Sequence, residues 1–187
     1  MIRLALEDVL NSKKLSEGIT SAMKSGSVFI YPTDTVYGIG CNAEAGKSVA
    51  RIRYMKGTDH PFSVIAPSLE WIKENLAMAR AEYMKKLPGP YTLIFKKKSP
   101  EFLSAACSGD SLGVRMPDHP FSRLVSDAGV PFVTTSANVS GQPAIRKLDD
   151  APGQLSDAAD FCIDGGTLAG RASTVIDLTG RPRIIRK

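Results

Sequence analysis

The sequence predicts an α/β domain in which a mixed sheet is covered by helices on both faces. Short apolar runs that read as strands alternate with amphipathic stretches that read as helices, rather than grouping by type. Several runs, Val28-Phe29-Ile30 among them, are apolar at consecutive positions, the pattern of a strand buried on both sides. The last two runs, 173–178 and 183–186, are joined by Thr179-Gly180-Arg181-Pro182, a turn that folds them into a hairpin and makes the sheet mixed. A chain of 187 residues, 43% hydrophobic and 23% charged, supports one core, so a single domain over 1–187 is expected.

Leu15, Ile19, Ala22 and Met23 share a helical face within residues 11–23, with Ser12 or Asn11 as the cap and Gly26 as the stop. The strand Val28-Phe29-Ile30 then breaks into Tyr31-Pro32-Thr33-Asp34-Thr35-Val36-Tyr37-Gly38-Ile39-Gly40, where hydroxyls, one carboxylate and two glycines suit a site loop leaving a rigid sheet. Gly38 and Gly40 permit positive φ or close approach of a ligand to the main chain. Apolar spacing predicts a helix over 43–55, ending near Lys56-Gly57, and a short strand over 62–66 between Pro61 and Pro67. Helical pieces follow at 69–76 and 79–87, halted by Pro88-Gly89-Pro90. Residues 91–95 read as a strand, 101–106 as a short helix and 112–116 as a strand carrying Arg115. Asp118 is the expected N-cap of a helix that Gly129 ends. A strand at 131–135 runs into the polar turn Ser136-Ala137-Asn138-Val139-Ser140-Gly141; a helix near 149–159, a strand at 161–164 and a glycine-rich loop at 165–170 complete the order.

The net charge of +5 and pI near 9.2 suit an anionic partner, a nucleotide or a nucleic acid. Lys96-Lys97-Lys98 is the densest basic run, but no aromatic residues interleave it, so it reads as a solvated strand end. No apolar run approaches bilayer length, and Glu7-Asp8 interrupts the start where a signal peptide would stay apolar, so a cytoplasmic protein without membrane contact is expected. Cys41, Cys107 and Cys162 are odd in number, widely spaced and without any Cys-x-x-Cys, so they suggest neither a disulfide framework nor a zinc site and read as reduced, apolar-like residues. Gly40 to Ser48 imitates a phosphate-binding P-loop with the wrong glycine spacing. His60 and His119, each in an Asp-His-Pro triplet, lack a nucleophile context and read as turn residues.

Three polar loops, 33–40, 136–141 and 165–173, each follow an apolar strand, and ligands of open α/β sheets collect beyond the carboxyl ends of strands. Hydroxyls, amides and glycines donate to anionic oxygens, so a nucleotide phosphate or an amino-acid carboxylate is the natural guest. Arg115, inside an apolar strand, needs an anionic partner, either a structural salt bridge or a bound carboxylate or phosphate. Lys56 reads as a helix-end cation or as a phosphate-binding point charge.

Five motifs in order, Pro32-Thr33-Asp34-Thr35-Val36-Tyr37-Gly38, Leu87-Pro88-Gly89-Pro90-Tyr91-Thr92, Val114-Arg115-Met116-Pro117, Thr135-Ser136-Ala137-Asn138-Val139-Ser140-Gly141 and Ser173-Thr174-Val175-Ile176-Asp177, resemble those of the YrdC/TsaC family of threonylcarbamoyl-AMP synthases. The resemblance runs from about residue 15 to 186 and is to the single-domain form. It implies a twisted, mostly parallel mixed sheet with a basic concave cleft. It also implies a nucleotidyltransferase that joins L-threonine, bicarbonate or carbon dioxide, and ATP with Mg²⁺ into threonylcarbamoyl-AMP and pyrophosphate, with no protein-ligated metal. The resemblance further implies a separate transferase that modifies the tRNA, and weak binding to tRNA or RNA. By the same resemblance Thr33, Arg115, Thr134 and Ser173 would hold threonine, and Lys56, Ser136, Asn138, Ala144 and Arg186 would contact ATP, with Lys56 and Arg115 closest to the chemistry. One departure stands out: where the family has Lys-x-Arg before a proline, this chain has Lys56-Gly57-Thr58. Arg51 or Arg53 could substitute for the missing arginine; the alternative is a divergent or non-catalytic relative that binds RNA or a nucleotide.

Overall fold

The three residues of strand β2 (Phe29–Tyr31) are fully buried and divide between two hydrophobic cores, as alternation along a strand requires: Phe29 and Tyr31 join one, Ile30 the other. The computed structural model describes residues 1–78 and 80–187. Its other strands are β1 (Ile2–Ala5), β3 (Gly38–Gly40), β4 (Ser63–Ile65), β5 (Tyr91–Lys96), β6 (Ser111–Arg115), β7 (Phe132–Ser136), β8 (Phe161–Asp164), β9 (Thr174–Asp177) and β10 (Arg183–Arg186). They form one ten-stranded sheet in the order β1-β8-β2-β3-β7-β4-β6-β5-β9-β10.

Among the described residues six α-helices connect these strands: α1 (Leu6–Asn11), α2 (Lys13–Lys24), α3 (Gly46–Lys56), α4 (Leu69–Asn75), α5 (Phe121–Ala128) and α6 (Gly153–Ser156). Helices α1, α2 and α5 supply Leu6, Val9, Ile19, Met23, Leu124 and Val125 to the core that holds Phe29, Tyr31, Phe132 and Ile163. On the other face Val49, Ile52 and Met55 of α3 and Ile72 of α4 pack with Ile30, Val64 and Val133. The sheet is therefore covered on both faces, which is why its central strands carry apolar runs rather than alternation. Two helix signals operate as read: the Ser12 hydroxyl accepts from the Leu15 N–H at the start of α2, and Gly57 ends α3 in the left-handed region at φ 60°.

The expected parallel majority is corrected. Four of the nine pairings, β1 with β8, β2 with β8, β4 with β6 and β5 with β9, are parallel, and the other five are antiparallel. The stretch read as one long site loop doubles back as β3, pairing antiparallel with β2 and β7. Gly38 and Gly40 consequently lie within a strand. A Cβ on Gly40 would sit 1.8 Å from the Val133 carbonyl, so the glycine admits a neighbouring strand rather than a ligand.

Local readings changed as well. Residues 101–106 form turns, not a helix, and the side chain of Asp118 caps nothing: Pro120 occupies the N-cap of α5, while the Asp118 N–H donates to Asp34. The helix expected at 149–159 shrinks to a 3₁₀ turn, Leu148–Asp150, and the four residues of α6. Ala79, the first residue of the helix expected at 79–87, lies outside the described residues; Ala81–Lys86 forms a 3₁₀ helix. β1 and α1 were not anticipated.

Candidate active site

The loop between β2 and β3 folds around one hydroxyl. Thr33 Oγ1 donates to the Val36 carbonyl at 2.8 Å, accepts from the Thr35 N–H at 3.1 Å and lies 2.8 Å from Thr35 Oγ1. Its single proton and both lone pairs are thereby used, and the side chain is 2% exposed. Tyr37 ties the same loop to the glycine-rich one: its hydroxyl donates to the Gly166 carbonyl at 2.8 Å and accepts from the Gly165 N–H at 2.9 Å.

Arg115 stands at the C-terminal end of β6, nine-tenths buried. Its Nη2 donates to Asp34 Oδ1 at 2.8 Å and to Thr35 Oγ1 at 3.2 Å, and Asp34 Oδ2 accepts from the Asp118 N–H at 3.1 Å. Asp34 thus clamps the loop, the arginine and the β6–α5 connection together. Burial pulls Arg115 below the ordinary guanidinium value, and Asp34 acts in the opposite sense to hold it charged. Its Nε is buried and carries no partner, an unusual state for a charged donor.

These elements surround a cavity of about 220 Å³ beyond the strand ends. Thr33, Arg115, Thr134, Ser136, Ala144, Ser173 and Arg186, all singled out from the sequence, line it together. Arg186 donates through Nε to the Ser173 carbonyl at 3.0 Å and through Nη2 to Ser173 Oγ at 3.1 Å, and Ser173 Oγ lies 2.8 Å from Thr92 Oγ1. Among the described residues the lining holds two guanidiniums and no carboxylate, an arrangement that favours an anion. Arg115, paired with Asp34, and Arg186 are the charged side chains of this lining.

Lys56 and Asn138 are not in the lining. Lys56 is 4% exposed; its ammonium donates at 2.6 Å to each of the Ser136 and Asn138 carbonyls, and the Ser140 N–H returns a bond to the Lys56 carbonyl. Burial pushes this ammonium down to about 8. Asn138 donates its amide to the Val139 and Gln142 carbonyls, leaving Oδ1 buried and unpartnered. Lys56 therefore holds the shape of the turn whose Ser136 reaches the cavity. Arg51 and Arg53, the possible stand-ins for the missing arginine, are turned elsewhere. Arg51 binds Asp160 and the Ala158 carbonyl. Arg53 binds the His60, Ala105 and Ala106 carbonyls and stacks 4.5 Å from the Phe62 ring.

The cavity also includes Thr35, Ser63, Thr92, Thr135 and the Pro61-Phe62 wall, which were not singled out. Thr92 had a legible signal, a hydroxyl closing the Leu87–Thr92 motif two residues after Pro90; Ser63, at a strand start, had none. Among the described residues no cluster of three or more metal-ligating side chains occurs, and no helix is long and apolar enough to cross a membrane. The three cysteines are buried and unpaired.

Residues 21–187 match the family model named Sua5_yciO_yrdC, described as telomere recombination. The chain is 31% identical over 176 residues to a Klebsiella pneumoniae threonylcarbamoyl-AMP synthase, covering 87% of this chain and 90% of the relative. It superposes on Pyrococcus abyssi Sua5 complexed with L-threonine at a TM-score of 0.83 and 28% identity, covering 99% of this chain. The match spans 56% of Sua5, so this chain corresponds to little more than half of that protein. Escherichia coli YciO superposes at a TM-score of 0.82 with 25% identity, covering all of this chain and 93% of YciO.

Proposed function

The chain belongs to the Sua5/YciO/YrdC family, and on that premise we propose that it is an L-threonylcarbamoyladenylate synthase, making threonylcarbamoyl-AMP and pyrophosphate from L-threonine, bicarbonate or carbon dioxide, and ATP for tRNA modification. The observation that carries the reading is Arg115: a buried guanidinium, already fixed through Nη2 by Asp34, that lines a cavity of amino-acid size. A threonine carboxylate in the cavity would pair with this guanidinium. Thr134 and Ser173 would flank it, and Thr33, whose proton is committed to Val36, would shape the wall facing the amino acid. Ser136, Ala144 and Arg186 would meet the nucleotide, with Lys56 and Asn138 holding the Ser136 turn.

The chemistry suits such a lining. The threonine amine attacks carbon dioxide and loses a proton to give a carbamate. A carbamate oxygen then attacks the α-phosphorus of ATP, and pyrophosphate leaves. No protein nucleophile is needed, so catalysis rests on positioning and on cations facing the developing charge. Mg²⁺ would arrive on the triphosphate, which supplies its oxygens. Cytosolic placement would keep the three buried cysteines reduced, and the product would pass to a separate tRNA-modifying transferase.

Pyrophosphate release in the presence of ATP, Mg²⁺, bicarbonate and L-threonine tests the reading: both threonine and bicarbonate should be required, and release without threonine dependence at high protein concentration would sink it. A second reading, a divergent relative that binds a nucleotide or RNA without turnover, is favoured by Thr58 standing where the family has arginine, with Arg51 and Arg53 both engaged elsewhere. It predicts ATP binding with no pyrophosphate.

A further inference from the structure

One hydroxyl on the cavity floor has no task in the fold. The side-chain bonds of the lining engage the hydroxyls of Thr33, Thr35, Tyr37, Thr92 and Ser173. Ser63 lines the same cavity, is half-buried, and takes part in no side-chain hydrogen bond among the described residues.

Sheet register fixes where it stands. Ser63 of β4 pairs with Thr134 of β7, and two residues further along the same face of β4, Ile65 pairs with Arg115 of β6. Directly opposed residues of an antiparallel pair hold their Cβ atoms about 5 Å apart, so Ser63 and Thr134 form one hydroxyl-bearing edge. The row that carries Arg115 lies about 7 Å away, two residues at the usual strand rise. That separation suits a small amino acid with a carboxylate at one end and a hydrogen-bonding side chain at the other.

Gly113 of β6 makes room for the Ser63 hydroxyl. A Cβ there would lie 2.4 Å from Ser63 Oγ and 3.3 Å from Thr92 Cγ2, so Ser63 turns its hydroxyl across the β6 main chain into space that only glycine leaves. Gly113 does not sit in the left-handed region, so space rather than backbone conformation requires it. A serine hydroxyl both donates and accepts, as does the side chain of threonine. A carboxylate or phosphate would ask for donors only, and Arg115 and Arg186 supply charged ones.

We propose that Ser63 is a specificity-determining residue: its hydroxyl bonds the side-chain hydroxyl of bound L-threonine, and Gly113 leaves it the room to do so. The proposal rests on the reading of this cavity as a threonine site.

Calorimetric titration of the full chain with L-threonine and with L-2-aminobutyrate, which lacks only the hydroxyl, tests it. The parent should bind threonine more tightly. Ser63→Ala should cut that preference by about three-fold or more, within the worth of one neutral hydrogen bond. The aminobutyrate dissociation constant should stay within about two-fold of the parent, which also shows that the variant keeps its site. Gly113→Ala, which displaces the hydroxyl, should cut the preference as far, and adding it to Ser63→Ala should cut it no further. A fall in preference of less than about three-fold in Ser63→Ala would overturn the proposal. So would equal weakening of both ligands, which would place Ser63 at the amine, or additive effects of the two substitutions. Absence of pyrophosphate release would by itself strike only the synthase reading, because these titrations need no turnover; absence of threonine binding by the parent would strike both.

Discussion

Arg115→Ala takes away the one guanidinium that the sheet buries at the cavity, and its consequences separate into two free energies. Asp34 would keep only the Asp118 N–H, at 3.1 Å, in a site where its side chain is 8% exposed. Removing one partner of a buried ion pair costs about 3–5 kcal/mol, so the single variant loses stability for reasons unrelated to substrate. Adding Asp34→Asn removes the stranded charge and keeps an acceptor for Asp118, so the double variant should regain most of the lost urea midpoint. Threonine binding should not return with it. A charge-assisted hydrogen bond to the carboxylate contributes about 1.5–3 kcal/mol, so the dissociation constant for threonine should rise by about 10- to 150-fold in both variants. The affinity for a non-hydrolysable ATP analogue should stay within about three-fold of the parent, since one such bond is worth more than that. Calorimetric titration of each ligand alone reads the two quantities. Recovery of threonine affinity in the double variant would refute the assignment of the carboxylate to Arg115, and an equal loss of ATP affinity would move the arginine to the nucleotide.

Three further outcomes follow from the geometry. The Lys56 ammonium sits at about 8 when folded and near the ordinary lysine value when unfolded, so the unfolded chain binds more protons between those values and stability rises with pH through that window. Unfolding free energies of the parent from urea titrations should gain on those of Lys56→Met between pH 7.5 and 9.5, by at most about 2 kcal/mol; parallel curves would show that the ammonium is not buried as described. Thr33→Val leaves the buried Thr35 N–H and Val36 carbonyl without their shared partner and should lose about 1–3 kcal/mol in thermal unfolding, whereas Thr33→Ser should stay close to the parent; equal melting of the two would remove Thr33 from the loop's framework. Gly40→Ala drives a Cβ to 1.8 Å from Val133 O and should lose more than about 4 kcal/mol, while Gly180→Ala, with nothing within 4 Å, should change stability by less than about 0.5 kcal/mol. A parent-like melting curve for Gly40→Ala would mean that β3 and β7 can part at that point.

Burial and residue type made much of this molecule legible, and pairing did not. The centres of β2, β6 and β7 could be found because a strand covered on both faces must be apolar throughout, and α2 and α3 because their caps and stops, Ser12 and Gly57, act within a few residues of sequence. β1 was missed because four residues with an exposed face carry no periodic signal, and the antiparallel return of β3 because its partner β7 lies nearly a hundred residues on. The site divides along the same line. Types and order indicated which hydroxyls and cations would meet, yet nothing in a sequence shows whether a donor is already spent. Thr33 and Lys56 read as ligand-holding groups, but the hydroxyl proton goes to Val36 and two of the three ammonium protons go to Ser136 and Asn138. Arg115 and Arg186 each engage only two of five N–H donors on the bonds described, if the shared Nη2 of Arg115 is assigned one hydrogen to each acceptor. The charged donors left unspent in this lining therefore belong to the two guanidiniums, and the loop from Pro32 to Tyr37, whose Thr33, Thr35 and Tyr37 hydroxyls are all bonded, forms a fixed wall beside them.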